Sequence, residues 1–99
     1  MIKKTVKKED NGLMIDNYML YKNLPTLDLH GETTFSSRVL LQEFINNNNK
    51  LNNKLIIVIH GIGKGILKEE IHKQLKNNKN VKAYKQDIFN KGATIIELN

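Results

Sequence analysis

The apolar positions of this chain fall in short blocks whose spacing switches between two and nearly four, the pattern of strands alternating with helices. Leu27 and Leu29 alternate with Asp28 and His30 and stop at Gly31, which predicts a short strand. Thr33, Thr34 and Ser36 then offer N-caps for a helix whose apolar stripe is Phe35, Val39, Leu40, Leu41, Phe44 and Ile45. The run Asn46 to Asn49 reads as the end of that helix and the loop after it. Leu55 to Ile59 is wholly apolar, as expected of a strand buried on both faces in a partly parallel sheet, and it ends at His60-Gly61. From about Gly65 to Lys76 the helical period returns, burying Leu67, Ile71 and Leu75 and exposing Lys68, Glu69, His72, Lys73 and Lys76. Val81 to Asp87 and Gly92 to Leu98 read as two further strands, and the short Asn90-Lys91-Gly92 connection makes them an antiparallel pair.

The predicted order is therefore strand, helix, strand, helix, strand, strand: an α/β layer fold with no internal repeat, spanning residues 25–99. Residues 1–24 read as an N-terminal arm. Lys3, Lys4, Lys7 and Lys8 make a basic start, Glu9-Asp10-Asn11-Gly12 has turn chemistry, and Pro25 closes the segment. Between them Leu13, Met14, Ile15, Tyr18, Met19, Leu20 and Tyr21 are too apolar for a free linker. They fit a short hairpin about Asp16-Asn17 or a single amphipathic turn, either covering the core or serving as a partner-binding arm.

Composition narrows the class. The chain has 39% hydrophobic and 26% charged residues, inside the range that folds around one core. Cysteine is absent, which excludes disulfides and thiolate zinc sites and gives no sign of an oxidising compartment. The longest wholly apolar run is Leu55 to Ile59, far below the ~20 residues a membrane helix needs, and no signal-peptide core is present. A soluble, unexported, cytoplasmic protein with no membrane partner is expected. Formal charge is +6, from 16 basic and 10 acidic residues, which favours an anionic partner such as RNA or DNA. The abundance of Lys, Asn and Ile is also what an AT-rich genome would produce.

The candidate chemistry gathers at strand ends. If the first two strands are parallel, His30 and His60 both lie at the C-terminal edge of the sheet, where open α/β sheets bind ligands. Asp28 and His30 are two apart on a strand and share a face, so the carboxylate can orient the imidazole and raise its pKa for acid/base work; alternatively it caps a backbone amide. His60-Gly61-Ile62-Gly63-Lys64-Gly65 leads from strand to helix, with glycines that permit close backbone approach, amides near a helix N-terminus, and Lys64 and Lys68 adding charge. It matches neither the nucleotide P-loop nor Gly-x-Gly-x-x-Gly, so no nucleotide-cofactor fingerprint is present. No metal-ligand spacing recurs, and His72 is placed on an exposed helix face.

Taken together, Leu27-Asp28-Leu29-His30-Gly31, His60-Gly61-Ile62-Gly63-Lys64-Gly65 and Gly92-Ala93-Thr94-Ile95-Ile96-Glu97-Leu98 resemble the Smr (small MutS-related) domain family, from about Pro25 to the C-terminus. The resemblance implies a two-layer α/β sandwich, a mixed four-stranded sheet with two helices, similar to the C-terminal domain of bacterial translation initiation factor three. It also implies endonuclease activity, nicking DNA in some members and cutting RNA, including ribosome-associated messenger RNA, in others. By that pattern Asp28 and His30 belong to the cleavage site and the His60 to Gly65 loop holds the nucleic-acid backbone. The chain departs from the pattern where Lys68 replaces a common Arg and where Gln86 to Lys91 lacks a glycine-rich loop. No MutS-like ATPase precedes the domain, as expected of a stand-alone form or a fragment.

The expected function is a nucleic-acid endonuclease, RNA preferred over duplex DNA, with Asp28, His30 and His60 catalytic and Gly61, Gly63, Lys64, Gly65 and Lys68 binding nucleic acid. A divalent metal acting with Asp28 is the alternative to metal-free acid/base cleavage, and a non-catalytic nucleic-acid- or ribosome-binding module is the alternative to an enzyme.

Overall fold

The computed structural model describes residues 6–7 and 14–99. In chain order the elements are β1 (Val6–Lys7), a 3-10 helix (Met14–Leu20), β2 (Thr26–Asp28), α1 (Thr34–Lys50), β3 (Leu55–Ile59), α2 (Ile66–Asn77), β4 (Val81–Gln86) and β5 (Ala93–Leu98). The basic stretch Lys3, Lys4 and Lys8 and the turn Glu9 to Gly12 lie outside the described residues. No described helix is long and apolar enough to cross a membrane.

The strands form one mixed sheet in the order β1-β4-β5-β3-β2. β2 and β3 are parallel and joined through α1, whereas β3 with β5 and β4 with β5 are antiparallel, the four-stranded arrangement expected. The arm adds the two-residue β1 antiparallel to β4.

Period-two alternation sends the two faces of each strand into different cores. On one face Leu29, Ile56, Val58, Tyr84, Ile96 and Leu98 pack under Leu41 and Ile45 of α1 and Ile71 and Leu75 of α2. On the other, Leu55, Ala83 and Ile95 pack against Ile15 and Tyr18 of the 3-10 helix. Val81 and Tyr84 face the same core although three apart, because a register irregularity between Val81 and Ala83 resets the alternation. The apolar part of the arm is thus the amphipathic turn, not the hairpin, and it covers a sheet face. Its first turn is held by Glu97, whose Oε1 accepts the Ile15 amide at 2.9 Å.

Helix α1 begins on a reciprocal cap: Thr33 Oγ1 accepts the Ser36 amide at 3.0 Å and Ser36 Oγ accepts the Thr33 amide at 3.1 Å. Its buried line is Ser37, Leu41, Ile45 and Asn48. Phe35 and Val39, expected in the apolar stripe, are 71% and 53% exposed, and Leu40 is exposed too. At about 100° per residue, Phe35 and Val39 lie about 200° from Ser37 and Leu41, on the far side of the helix. The Asn run is the expected helix end but takes no part in the loop: it forms the last turns of α1, where Asn48 is buried, donating to Phe44 O at 2.8 Å and accepting from Asn53 Nδ2 at 2.9 Å. Those two bonds satisfy the amide that burial would otherwise penalise. Across the helix pair, Arg38 makes a forked contact with Glu70 at 3.2 and 3.0 Å that holds the Glu70 carboxyl down to about 2.

Candidate active site

The sheet brings three chain segments together at the C-terminal ends of β2 and β3. The parallel ladder continues one residue past β2, where the Leu29 amide donates to Ile59 O at 2.7 Å. Beyond β3, the carbonyl of Gly92 accepts from both the His60 amide at 2.8 Å and the Gly61 amide at 3.0 Å, so the β4–β5 turn is bonded to the start of the glycine loop. This joint depends on bare backbone. A Cβ on Gly92 would stand 3.1 Å from the Gly61 carbonyl carbon, and Gly61 itself has φ +83° with the His30 Cβ 3.3 Å from where its own would be.

Asp28 and His30 form an exposed pair. Asp28 Oδ1 lies 2.6 Å from His30 Nδ1 and also accepts the His30 amide at 3.0 Å. The carboxylate therefore both caps a backbone amide and orients the ring. Because a carboxylate only accepts, Nδ1 carries the proton and Nε2 points away from Asp28, the arrangement of an acid/base histidine with its orienting partner. The hydrogen bond to Asp28 raises the His30 pKa above its ordinary value, and the same bond lowers that of Asp28. The side chains remain 70% and 51% exposed, so a substrate has access to the ring.

His30 and Gly31 line a cleft of about 360 Å³ together with His60, the loop Gly61 to Gly65 and the first turn of α2, Ile66 to Lys68. In the loop Gly61, Gly63 and Gly65 all have positive φ, and Gly65 is the N-cap of α2 with no side chain capping it. Gly65, Ile66, Leu67 and Lys68, at the start of α2, line the same cleft beside Lys64. Lys68 contacts Gln86 Oε1 of β4 while lining the same cleft. An adjoining groove of about 630 Å³ shares Gly65 and Lys68 and continues past Lys73 and Lys76, with the Glu69 carboxylate also on its lining. Among the described residues no group of three or more His, Asp or Glu side chains is placed to hold a metal ion.

His60 reaches the same edge as His30 but is 4% exposed, with its ring turned to the helix side of the sheet. Its Nδ1 is 2.8 Å from Gly61 O and its Nε2 is 3.0 Å from Thr94 Oγ1. Since the Gly61 carbonyl can only accept, Nδ1 holds the proton and Nε2 takes the Thr94 hydroxyl proton. Thr94 Oγ1 then accepts from His72 Nε2, 2.8 Å away. The result is a directed chain from His72 through Thr94 and His60 to the loop backbone. Burial, aided by the charge of Lys68, lowers the His60 pKa and keeps its ring neutral. His72 is half-buried rather than on an exposed face: it stands edge-on to His60 and to the Tyr84 ring at centroid distances of 6.1 and 5.1 Å. The expected stripe of Leu67, Ile71 and Leu75 is flanked on one side by this polar position, because residue 72 follows Ile71 by about 100° and meets the edge of the sheet.

Sequence reasoning missed Thr94, and its one signal was indirect: it shares the parity of Ile96 and Leu98, hence the face on which His60 lies. It also missed the anchoring of the β4–β5 turn by Tyr18, whose hydroxyl donates to Asp87 Oδ1 at 2.7 Å across 69 residues of sequence.

Residues 27–99 match the family model of the Smr domain. Curated relatives include the endonuclease MutS2 of Streptococcus gordonii, 37% identical over 73 residues that make up 71% of this chain and 9% of that protein. That of Alkaliphilus metalliredigens is 27% identical over 75 residues, 73% of this chain and 10% of that protein. The chain thus spans about a tenth of the length of these relatives. Among solved structures, YdaL, a stand-alone small MutS-related protein from Escherichia coli, superposes with a TM-score of 0.84 at 18% identity, covering 96% of this chain and 82% of that one. The Smr domain of Thermus thermophilus MutS2 superposes with a TM-score of 0.74 at 22% identity, covering 77% and 99%. The family model takes in the Asp28–His30 edge and the glycine loop, and the chain belongs to the Smr domain family.

Proposed function

We propose that the protein is a nucleic-acid endonuclease that cleaves RNA in preference to duplex DNA at the cleft between His30 and the glycine loop. The observation that carries this reading is the exposed Asp28–His30 pair, with Nδ1 fixed at 2.6 Å from the carboxylate and Nε2 directed outward beside a loop suited to phosphate. His30 is the general acid/base. As base, Nε2 takes the proton of the ribose 2′-hydroxyl, whose oxygen attacks phosphorus; as acid, it returns a proton to the departing 5′-oxygen. Asp28 holds the ring in the required tautomer and favours the imidazolium. RNA is preferred because it brings its own nucleophile.

Gly61, Gly63 and Gly65 let the phosphodiester backbone approach the loop amides, and Lys64 and Lys68 supply the charge. His60 assists from behind the loop, gripping the Gly61 carbonyl rather than touching substrate. In the metal-assisted alternative Asp28 would be the anionic ligand and water the nucleophile. The homology to MutS2 endonucleases supports a nuclease or nucleic-acid-binding role.

The test is incubation of the purified protein with labelled RNA and DNA, single- and double-stranded, with and without chelator. Chelator-resistant cutting of RNA supports the acid/base route, chelator-sensitive cutting redirects the chemistry to a metal, and tight binding with no cutting overturns the enzyme reading in favour of a binding module.

A further inference from the structure

The β4–β5 turn carries Phe89 at 78% exposure, with Ile88 beside it at 37%. An exposed apolar side chain is ordinary in itself, but the backbone beneath this one is held with unusual completeness. The Phe89 amide donates to Asp87 Oδ1 at 2.9 Å, and the Ile88 amide donates to the Tyr18 hydroxyl at 3.0 Å. Asn90 closes the turn by accepting the Gly92 amide on its side chain at 2.9 Å and the Ala93 amide on its carbonyl at 3.1 Å. The Gly92 carbonyl then bonds the turn to the His60 and Gly61 amides. Phe89 is therefore presented on a preorganised turn fastened to the phosphate loop, three residues from the joint. Ile62, 71% exposed, adds an apolar side chain on the loop to which the turn is bonded. Along the chain Asn90 and Lys91 follow Phe89, and the loop to which the turn is bonded carries Lys64.

We infer that Phe89 is a stacking platform for an unpaired base next to the bound phosphodiester, which makes single-stranded nucleic acid the substrate class of the site. The inference rests on the proposed nucleic-acid function and adds to it the strandedness of the substrate. An exposed aromatic ring, with Lys91 two residues on and Lys64 on the loop to which its turn is bonded, offers both the π-face and the positive charge by which single strands are held, whereas the bases of a duplex already stack on one another and offer no free face. A protein-docking patch would require a broader apolar surface than Phe89 with Ile88 beside it and Ile62 on the neighbouring loop. The rigidity of the turn favours binding because the ring is not ordered at the moment of contact.

The experiment compares wild type, Phe89→Ala and Phe89→Trp in anisotropy titrations with a 2′-O-methyl oligouridylate, which cannot be cut through its 2′-hydroxyl, and with a duplex of equal length. Phe89→Ala is expected to weaken single-strand binding about 5- to 150-fold while leaving the salt dependence unchanged, since no phosphate contact is lost. Phe89→Trp should bind at least as well as wild type, and its emission, unique in a chain without tryptophan, should be quenched by the oligouridylate. Thermal melting checks that the exposed substitutions leave the fold intact. The inference is overturned if Phe89→Ala binds the single strand as wild type does, if both nucleic acids lose affinity equally, or if the tryptophan does not respond. Normal binding and cutting by Phe89→Ala would refute stacking alone, while failure of the wild type to bind either nucleic acid would refute the functional reading beneath it.

Discussion

Replacing Thr94 by valine tests whether the buried histidine chain holds the glycine loop. The side chains are nearly the same shape, so the substitution removes the hydroxyl and little else. It leaves His60 Nε2 and His72 Nε2, now 3.0 and 2.8 Å from Thr94 Oγ1, facing a methyl group. Thr94 is fully buried, so water cannot readily take the place of the hydroxyl. At about 2 kcal/mol for each polar group left without this partner, less about 0.8 kcal/mol for the methyl buried in exchange, Thr94→Val should lose about 3 kcal/mol. A chain of this size unfolds with about 5–15 kcal/mol in total, and each kcal/mol moves its melting midpoint by about 4–8 °C. The midpoint should therefore fall by about 12–24 °C, whereas Thr94→Ser, which keeps the hydroxyl, should stay within a few degrees of wild type. Calorimetry of the three proteins is the assay. Wild-type melting of Thr94→Val, or equal losses in the Val and Ser variants, would refute the directed chain.

Asp28→Asn should let the His30 pKa fall toward the ordinary value of about 6.5, moving the corresponding limb of the pH–rate profile to lower pH; an NMR titration of the His30 ring that does not shift would contradict this. The two histidines should also oppose each other in stability. His30, with its pKa raised by Asp28, contributes fully below the ordinary histidine value and loses its contribution as pH rises through the folded value; His60, with its pKa lowered by burial, contributes fully above the ordinary value and loses it as pH falls through the folded one. Urea unfolding of His30→Gln across pH 5–8 should remove the first trend and keep the second. Lys64→Ala should weaken binding equally across sequences and flatten the slope of log affinity against log salt by about 0.7 for a single strand; an unchanged slope would remove Lys64 from the phosphate site.

The sheet was legible because its strands carry their own signals. The apolar block Leu55 to Ile59 and the short connection before Gly92 fix a buried central strand and an antiparallel partner without reference to anything distant. The Asp28–His30 pair was legible from its spacing, although the strand expected to reach His30 stops at Asp28 and His30 stands in the turn beyond it, where the Asp28 carboxylate also caps its amide. Helix α1 was harder, because Phe35 and Val39 satisfy a helical spacing that its buried line does not use, and because Asn48 is buried only by virtue of partners in Phe44 and Asn53. His72 looked exposed from the helix alone; Thr94 and Tyr84, from strands later in the chain, give it a buried partner and a ring to pack on. The choice between hairpin and turn for the arm depended on the bare sheet face formed by Leu55, Ala83 and Ile95, a surface that exists only after the sheet has formed.

The central claim is that His30, oriented by Asp28, moves the proton at the scissile phosphate. Single-turnover cleavage of a labelled single-stranded RNA by wild type and His30→Ala, with binding measured in parallel, tests it most directly. The expected result is a rate lower by roughly 10²–10⁴ with affinity nearly unchanged. Equal cleavage rates for the two proteins would contradict it.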